Sequence, residues 1–187
     1  MLKITPASKH HPLHTKRRVL NLPFGTQRLL AVFEGVEGGF AIGTSIVVAL
    51  SIAGLEHHLL LLTALISIVV SGFNSASVKY SSEHYLDELD GREKRSAFRH
   101  YFIPACIEFV CYMILSVVAI LPLLLLSNTF VAVILSVALT LIVLFAAGVW
   151  RGYILRMNKL RDGIETLALG VGIILIGLIS GLIVNSL

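Results

Sequence analysis

The sequence predicts an all-α membrane protein of five transmembrane helices, with its N-terminus inside and its C-terminus outside. Three observations carry this. Of the 187 residues, 56% are hydrophobic, and the mean hydropathy of +0.88 lies outside the range of soluble proteins of this size. The apolar residues collect in five stretches, each near the roughly 20 residues a helix needs to cross a bilayer. All 15 Lys and Arg residues fall in three blocks, Lys3 to Arg28, Lys79 to Arg99 and Arg151 to Arg161, which alternate with loops holding no Lys or Arg. Short loops rich in Lys and Arg stay in the cytoplasm, so the three blocks share that side. The stretches lack period-two alternation, which argues against a transmembrane barrel.

Residues 1–27 read as a basic cytoplasmic tail with Pro6, Pro12 and Pro23, and residues 28–187 as one five-helix transmembrane domain. The tail is too long and polar for a cleavable signal. His10, His11 and His14 make a group able to bind metal, but beside Lys9, Lys16, Arg17 and Arg18 they read better as a solvated, headgroup-facing segment. The net charge of +4 does not point to nucleic acid, because the basic residues flank apolar spans, where anionic headgroups account for them.

The first span, near 29–54, carries Glu34 and Glu37 and a stripe of small residues, Gly35, Gly39 and Gly43. Glycines four apart let another helix approach closely, and we expect this stripe to pack across a two-fold axis. Glu34 and Glu37, three apart, border that contact. The loop from Gly54 to His58 is short enough to force the second span, near 59–79, back alongside the first. Its Glu56, His57 and His58 read as a polar turn and only weakly as a metal site. The second span ends in Ser71, Asn74, Ser75 and Lys79. A charged linker, 80–100, continues its helix to Gly91 and reads as a solvated face.

The third span, near 101–126, has Pro104 at its start and Glu108 one turn on, with Cys106 and Cys111 as small buried hydrophobes. The fourth lies near 130–150. The fifth, near 164–186, begins with Glu165 and carries the close-packing pair Gly177 and Gly181.

Ionisable residues inside a membrane are functional by default. At about 1.5 Å per residue, Glu37 lies roughly 12 Å inside the cytoplasmic edge. Glu34, Asn74, Ser75, Lys79 and Glu108 fall in the same layer, with Glu165 at its rim. Such oxygen donors suit hard or borderline divalent cations. Glu37 and Glu108 also suit proton coupling, because burial favours a neutral carboxyl. The structural alternative is an ion-pair network in which Lys79 neutralises Glu34 or snorkels to the interface. In that alternative Glu165 simply favours its helix N-terminus. No phosphate-binding loop, metalloprotease helix or Ser-His-Asp set is present, so we expect no enzyme.

With these residues the chain resembles the vacuolar iron transporter family over residues 28–187. Arg28 with Val36-Glu37-Gly38 is similar to the family's Arg and Asp-Gly in the first span. Ala76 to Ser82 stands where the family has a small-residue and Gly-Glu-Tyr segment. Pro104, Pro122-Leu123-Leu124, Leu144-Phe145-Ala146-Ala147-Gly148, Gly163-x-Glu165 and Gly170 to Gly181 resemble motifs of the last three spans. The resemblance implies a homodimer that exports Fe²⁺ or Mn²⁺ from the cytosol in exchange for protons, through a path at the dimer interface. The metal is then a transported ion, and no permanently bound cofactor is expected. By position, Glu37 takes the family's intramembrane Asp, Ser75 stands where metal-transporting members have Met, and Lys79 stands where they have Glu. The Glu-rich insert of some members is absent. The expected location is the plasma membrane of a prokaryote, or alternatively a vacuolar-type membrane. Beside transport stands a second reading. In it the chain is a membrane scaffold or partner subunit in which a Lys79–carboxylate pair replaces the metal site.

Overall fold

A computed structural model describes residues 25–91 and 96–187. The tail histidines and Arg92, Lys94 and Arg95 lie outside the described residues. The described chain is helical, without strands, and five helices are long and apolar enough to cross a membrane. They are α1 (Thr26–Ile52), α2 (His57–Leu89), α3 (Ile103–Leu125), α4 (Thr129–Ile154) and α5 (Lys159–Asn185).

Local chemistry explains most boundaries. Asn128 and Asn158 cap α4 and α5, each side chain accepting a backbone N–H, from Val131 and Arg161. A π-helical turn, Phe98–Phe102, leads into α3. It ends just before Pro104, whose missing N–H leaves the His100 carbonyl without its usual α-helical donor. Pro122 lies in the last turn of α3, which stops at Leu125. At about 1.5 Å per residue the 33 residues of α2 span about 50 Å. The hydrocarbon core is about 30 Å thick, so the last turns of α2 extend past it. They end at Gly91, whose φ of 63° is a conformation glycine adopts without strain.

α1 is the centre of the bundle and the most buried helix. It packs on all four others. Around it α2 packs on α3, α3 on α4 and α4 on α5, while α2 and α5 make no comparable contact. One edge of α1, between α2 and α5, is therefore left uncovered. The Lys and Arg residues of the described chain sit where α1, α3 and α5 begin and α2 and α4 end, which we call the basic end. Toward the opposite, neutral end, Val47, Leu60, Ala64, Ile68, Tyr112, Ile120, Leu123 and Ala132 form a dry apolar cluster.

The glycine stripe of α1 packs within the chain, which corrects the expectation that it lies on a two-fold axis. A Cβ on Gly35 would stand 2.6 Å from Cys111 Cβ and 2.8 Å from the Glu108 carbonyl oxygen. On Gly39 it would stand 2.8 Å from the Tyr112 carbonyl oxygen, and on Gly43 3.3 Å from Ser116 Cβ. The partner is α3 because its facing positions leave room for backbone-to-backbone approach. The pair Gly177 and Gly181 does the same from α5, against Ser45 and Ala49 of α1. Hydrogen bonds add to these contacts: Ser116 Oγ donates to Gly39 O at 3.0 Å and Ser45 Oγ donates to Ile173 O at 2.8 Å, while the Thr44 and Thr140 hydroxyls, 2.6 Å apart, tie α1 to α4. Cys106 is exposed on α3 and not buried as expected, while Cys111 is half-buried, and both thiols are free.

Gly39→Leu is expected to separate α1 from α3 and to destabilise each protomer by about 1–3 kcal/mol, the usual range for over-packing. The check is the thermal midpoint in detergent, with the oligomeric state followed in parallel. Unchanged stability together with dissociation of an oligomer would return the stripe to an intermolecular role.

Candidate functional site

At the basic end, α1, α2 and α3 line an open cavity of about 400 Å³. From α1 come Glu34, Glu37 and Gly38. From α2 come Ser75, Val78, Lys79, Ser82 and Glu83, one helical turn apart along one face. From α3 comes Glu108. The cavity lies along the uncovered edge of α1. A smaller cleft on the other side of the same edge, between α1, α4 and α5, shares Glu37 and Gly38 with it.

Each ionisable group has a defined setting. Lys79 is buried, 7% exposed, and bridges two carboxylates: it pairs directly with Glu34 and, at 3.0 Å, with Glu83 one turn further along α2. Glu34 is half-exposed, so solvent weakens that pair. Glu108 is 3% exposed, and its Oε1 accepts the Ser75 hydroxyl at 2.5 Å. Its Oε2 is buried with no hydrogen-bond partner. Glu37 is paired with Arg151 of α4 at 2.5 Å, and the other arm of that guanidinium donates to Thr166 of α5 at 3.1 Å. An edge-on contact of Phe33 and Trp150, centroids 5.7 Å apart, holds α1 and α4 together beside this pair. The Tyr112 ring lies against Gly38 of α1, which lines the cavity, and against Gly72 of α2; an added Cβ would stand 3.1 Å and 2.7 Å from it.

Of the residues singled out from sequence, Glu34, Glu37, Ser75, Lys79 and Glu108 therefore line one cavity. Asn74 is exposed on α2 and does not line it, because a helix turns about 100° between successive residues. Glu165 is exposed and held by Arg161 at 2.8 Å, away from the cavity. Two participants were missed. Glu83 was read as part of a solvated face, although its spacing of four from Lys79 was a pairing signal. Arg151 was counted only as a topology signal, although it stands at the basic end of a span facing an acid of similar depth. Among the described residues, no group of three or more His, Cys, Asp or Glu stands close enough to hold a metal ion.

Five apolar helices around a carboxylate-lined cavity define an integral membrane protein. A model of the VIT family matches residues 83–182, more than half of the chain. The chain belongs to this family, the vacuolar iron transporters, whose members are membrane metal-ion transporters and not enzymes. Glu83, Glu108 and Arg151 fall inside the matched segment, and Glu34, Glu37, Ser75 and Lys79 precede it. A comparison with curated proteins finds no match.

Lys79→Met is expected to leave Glu34 and Glu83 facing each other without a counter-ion. Removing one partner of a buried pair costs about 3–5 kcal/mol, and the exposure of Glu34 brings the expectation down to about 1–3 kcal/mol. Adding Glu34→Gln should recover part of the loss. Thermal midpoints of the single and double variants in detergent measure both, and additive losses would show that the pair contributes nothing to stability.

Proposed function

We propose that the protein exports a divalent metal ion, Fe²⁺ or Mn²⁺, from the cytosol in exchange for protons, as a homodimer whose path follows the uncovered edge of α1. The observation that supports this reading is the cavity, in which Glu34, Glu37, Glu83 and Glu108 surround a single lysine within a transporter-family fold. Lys and Arg mark the basic end as cytoplasmic. The N-terminus is then inside and the C-terminus outside, and the cavity faces the cytosol. The apolar cluster around Tyr112, Ile120 and Leu123 closes it toward the outer side. Carboxylates and the Ser75 hydroxyl are hard donors suited to borderline divalent cations. Among the described residues no three His, Cys, Asp or Glu stand close enough to hold a metal ion, so on this reading water, backbone or the second protomer adds to the coordination. Glu37 and Glu108 are the exchanging groups. Carboxylates in a low-dielectric cavity ionise cheaply only beside a cation, so an arriving metal ion releases protons and arriving protons release the metal ion. The membrane is the plasma membrane of a prokaryote or, alternatively, a vacuolar-type membrane.

A second reading is favoured by one observation. Lys79 is already paired with Glu34 and Glu83, as expected of a non-transporting scaffold or partner subunit of the same fold in which a Lys79–carboxylate pair replaces the metal site.

Metal-dependent proton flux in proteoliposomes separates the two. On the transport reading, wild type carries flux, Glu37→Gln and Glu108→Gln lose at least about tenfold of it, and both variants remain folded. Wild type without flux supports the scaffold. For orientation, a reporter fused after Leu187 is expected to be active only outside the cytoplasm, and cytoplasmic activity would reverse the topology.

A further inference from the structure

Arg151 reaches from α4 to Glu37 on α1 and to Thr166 on α5. One turn from Thr166, on the same face of α5, lies Asp162. It is 3% exposed, and its Oδ2 is fully buried without a hydrogen-bond partner. A carboxylate oxygen in that state is costly. Asp162 lies in the first turn of α5, where negative charge is favoured, but the helix end supplies that oxygen with no donor. The neighbouring Arg161 side chain is bonded to Glu165 at the surface instead. Thr166 and Asp162 rest on one ridge of α4, Gly148 and Gly152, beside Arg151. A Cβ on Gly148 would stand 2.7 Å from Thr166 Oγ1, and one on Gly152 would stand 3.0 Å from Asp162 Oδ2. Arg151 at present reaches Thr166, and Asp162 lies one helical turn nearer the basic end, the direction a long cationic side chain takes when it snorkels toward an interface.

We propose that Arg151 has two seats: Glu37 while no metal ion is bound there, and Asp162 once Glu37 binds a cation. Asp162 is then a positioning residue for the cation site and acts through Arg151. A divalent cation and a guanidinium compete for the same carboxylate, so the cation binds only as the guanidinium leaves. A vacant acceptor one turn away makes that departure less unfavourable. By linkage, whatever favours Arg151 on Asp162 favours a cation on Glu37 to the same extent. The inference rests on reading Glu37 as a cation-binding carboxylate, but its first test needs no metal.

That test is a double-mutant cycle on thermal stability of the full chain in detergent. In wild type, Asp162→Asn removes a carboxylate whose Oδ2 has no partner and is expected to leave the midpoint unchanged or to raise it. In the Glu37→Gln background Arg151 sits on Asp162, so Asp162→Asn should lower the midpoint by about 3 °C or more. Arg151→Gln should erase that difference. Equal shifts in both backgrounds would mean a purely structural role in α4–α5 packing and would overturn the proposal. Should Glu37→Gln not fold, Mn²⁺ binding decides. Asp162→Asn should weaken it several-fold in the native background and leave it unchanged in Arg151→Gln, and an equal effect in both would overturn the proposal. Mn²⁺ binding that is identical in wild type and Glu37→Gln would instead remove the transport reading, while the stability cycle still decides the two seats.

Discussion

Backbone-to-backbone contact of α1 with its neighbours is the constraint on which the rest of the structure depends. In a bilayer, burying a leucine between helices gains little over leaving it in lipid, so association rests on close approach and interhelical hydrogen bonds. α1 has both. Gly35, Gly39 and Gly43 admit the α3 backbone, and Gly177 and Gly181 bring α5 onto Ser45 and Ala49. Thr44, Ser45 and Ser116 add hydroxyl bonds where no water competes. With α1 held on these sides, its remaining edge has one orientation, and Glu34, Glu37 and Gly38 are on it.

Charge is then arranged around that edge in separate pairs. Lys79 is committed to Glu34 and Glu83, and Arg151 to Glu37. Glu108, the deepest acid of the cavity, has only the Ser75 hydroxyl. Two cations contributed by the protein itself thus occupy places where a metal-binding site would be bare carboxylate. Transport in this chain, on the proposed reading, is a competition between tethered and mobile cations.

The helices were legible because membrane spans announce themselves by length and composition, and the short loop at Gly54 left little freedom in pairing the first two. Depth was legible too: the hairpin geometry set Lys79 level with Glu34, and the two are paired. Rotation was not. Asn74 and Ser75 are adjacent in sequence, yet only Ser75 lines the cavity, because nearly uniform hydrophobicity around α2 leaves no polar stripe to orient it. The same lack of a partner signal misassigned the glycine stripe. Small residues four apart say that a helix comes close, and nothing in the spacing tells α3 of the same chain from a second copy. Arg151 was overlooked because the rule that uses arginine for topology says nothing about what its guanidinium touches.

α2 is longer than the hydrocarbon layer is thick, and this gives it mechanical leverage. Its neutral end is clamped by the short turn after α1 and by Leu60, Ala64 and Ile68 in the apolar cluster. Part way along, Gly72 rests on the Tyr112 ring, a natural fulcrum. Lys79 and Glu83 ride on the arm beyond it. From Gly72 to Glu83 that arm is about 16 Å long, so a tilt of about 5° displaces Glu83 by about 1.4 Å. Such a displacement is enough to lengthen a hydrogen-bonded ion pair beyond useful range, while the clamped end scarcely moves.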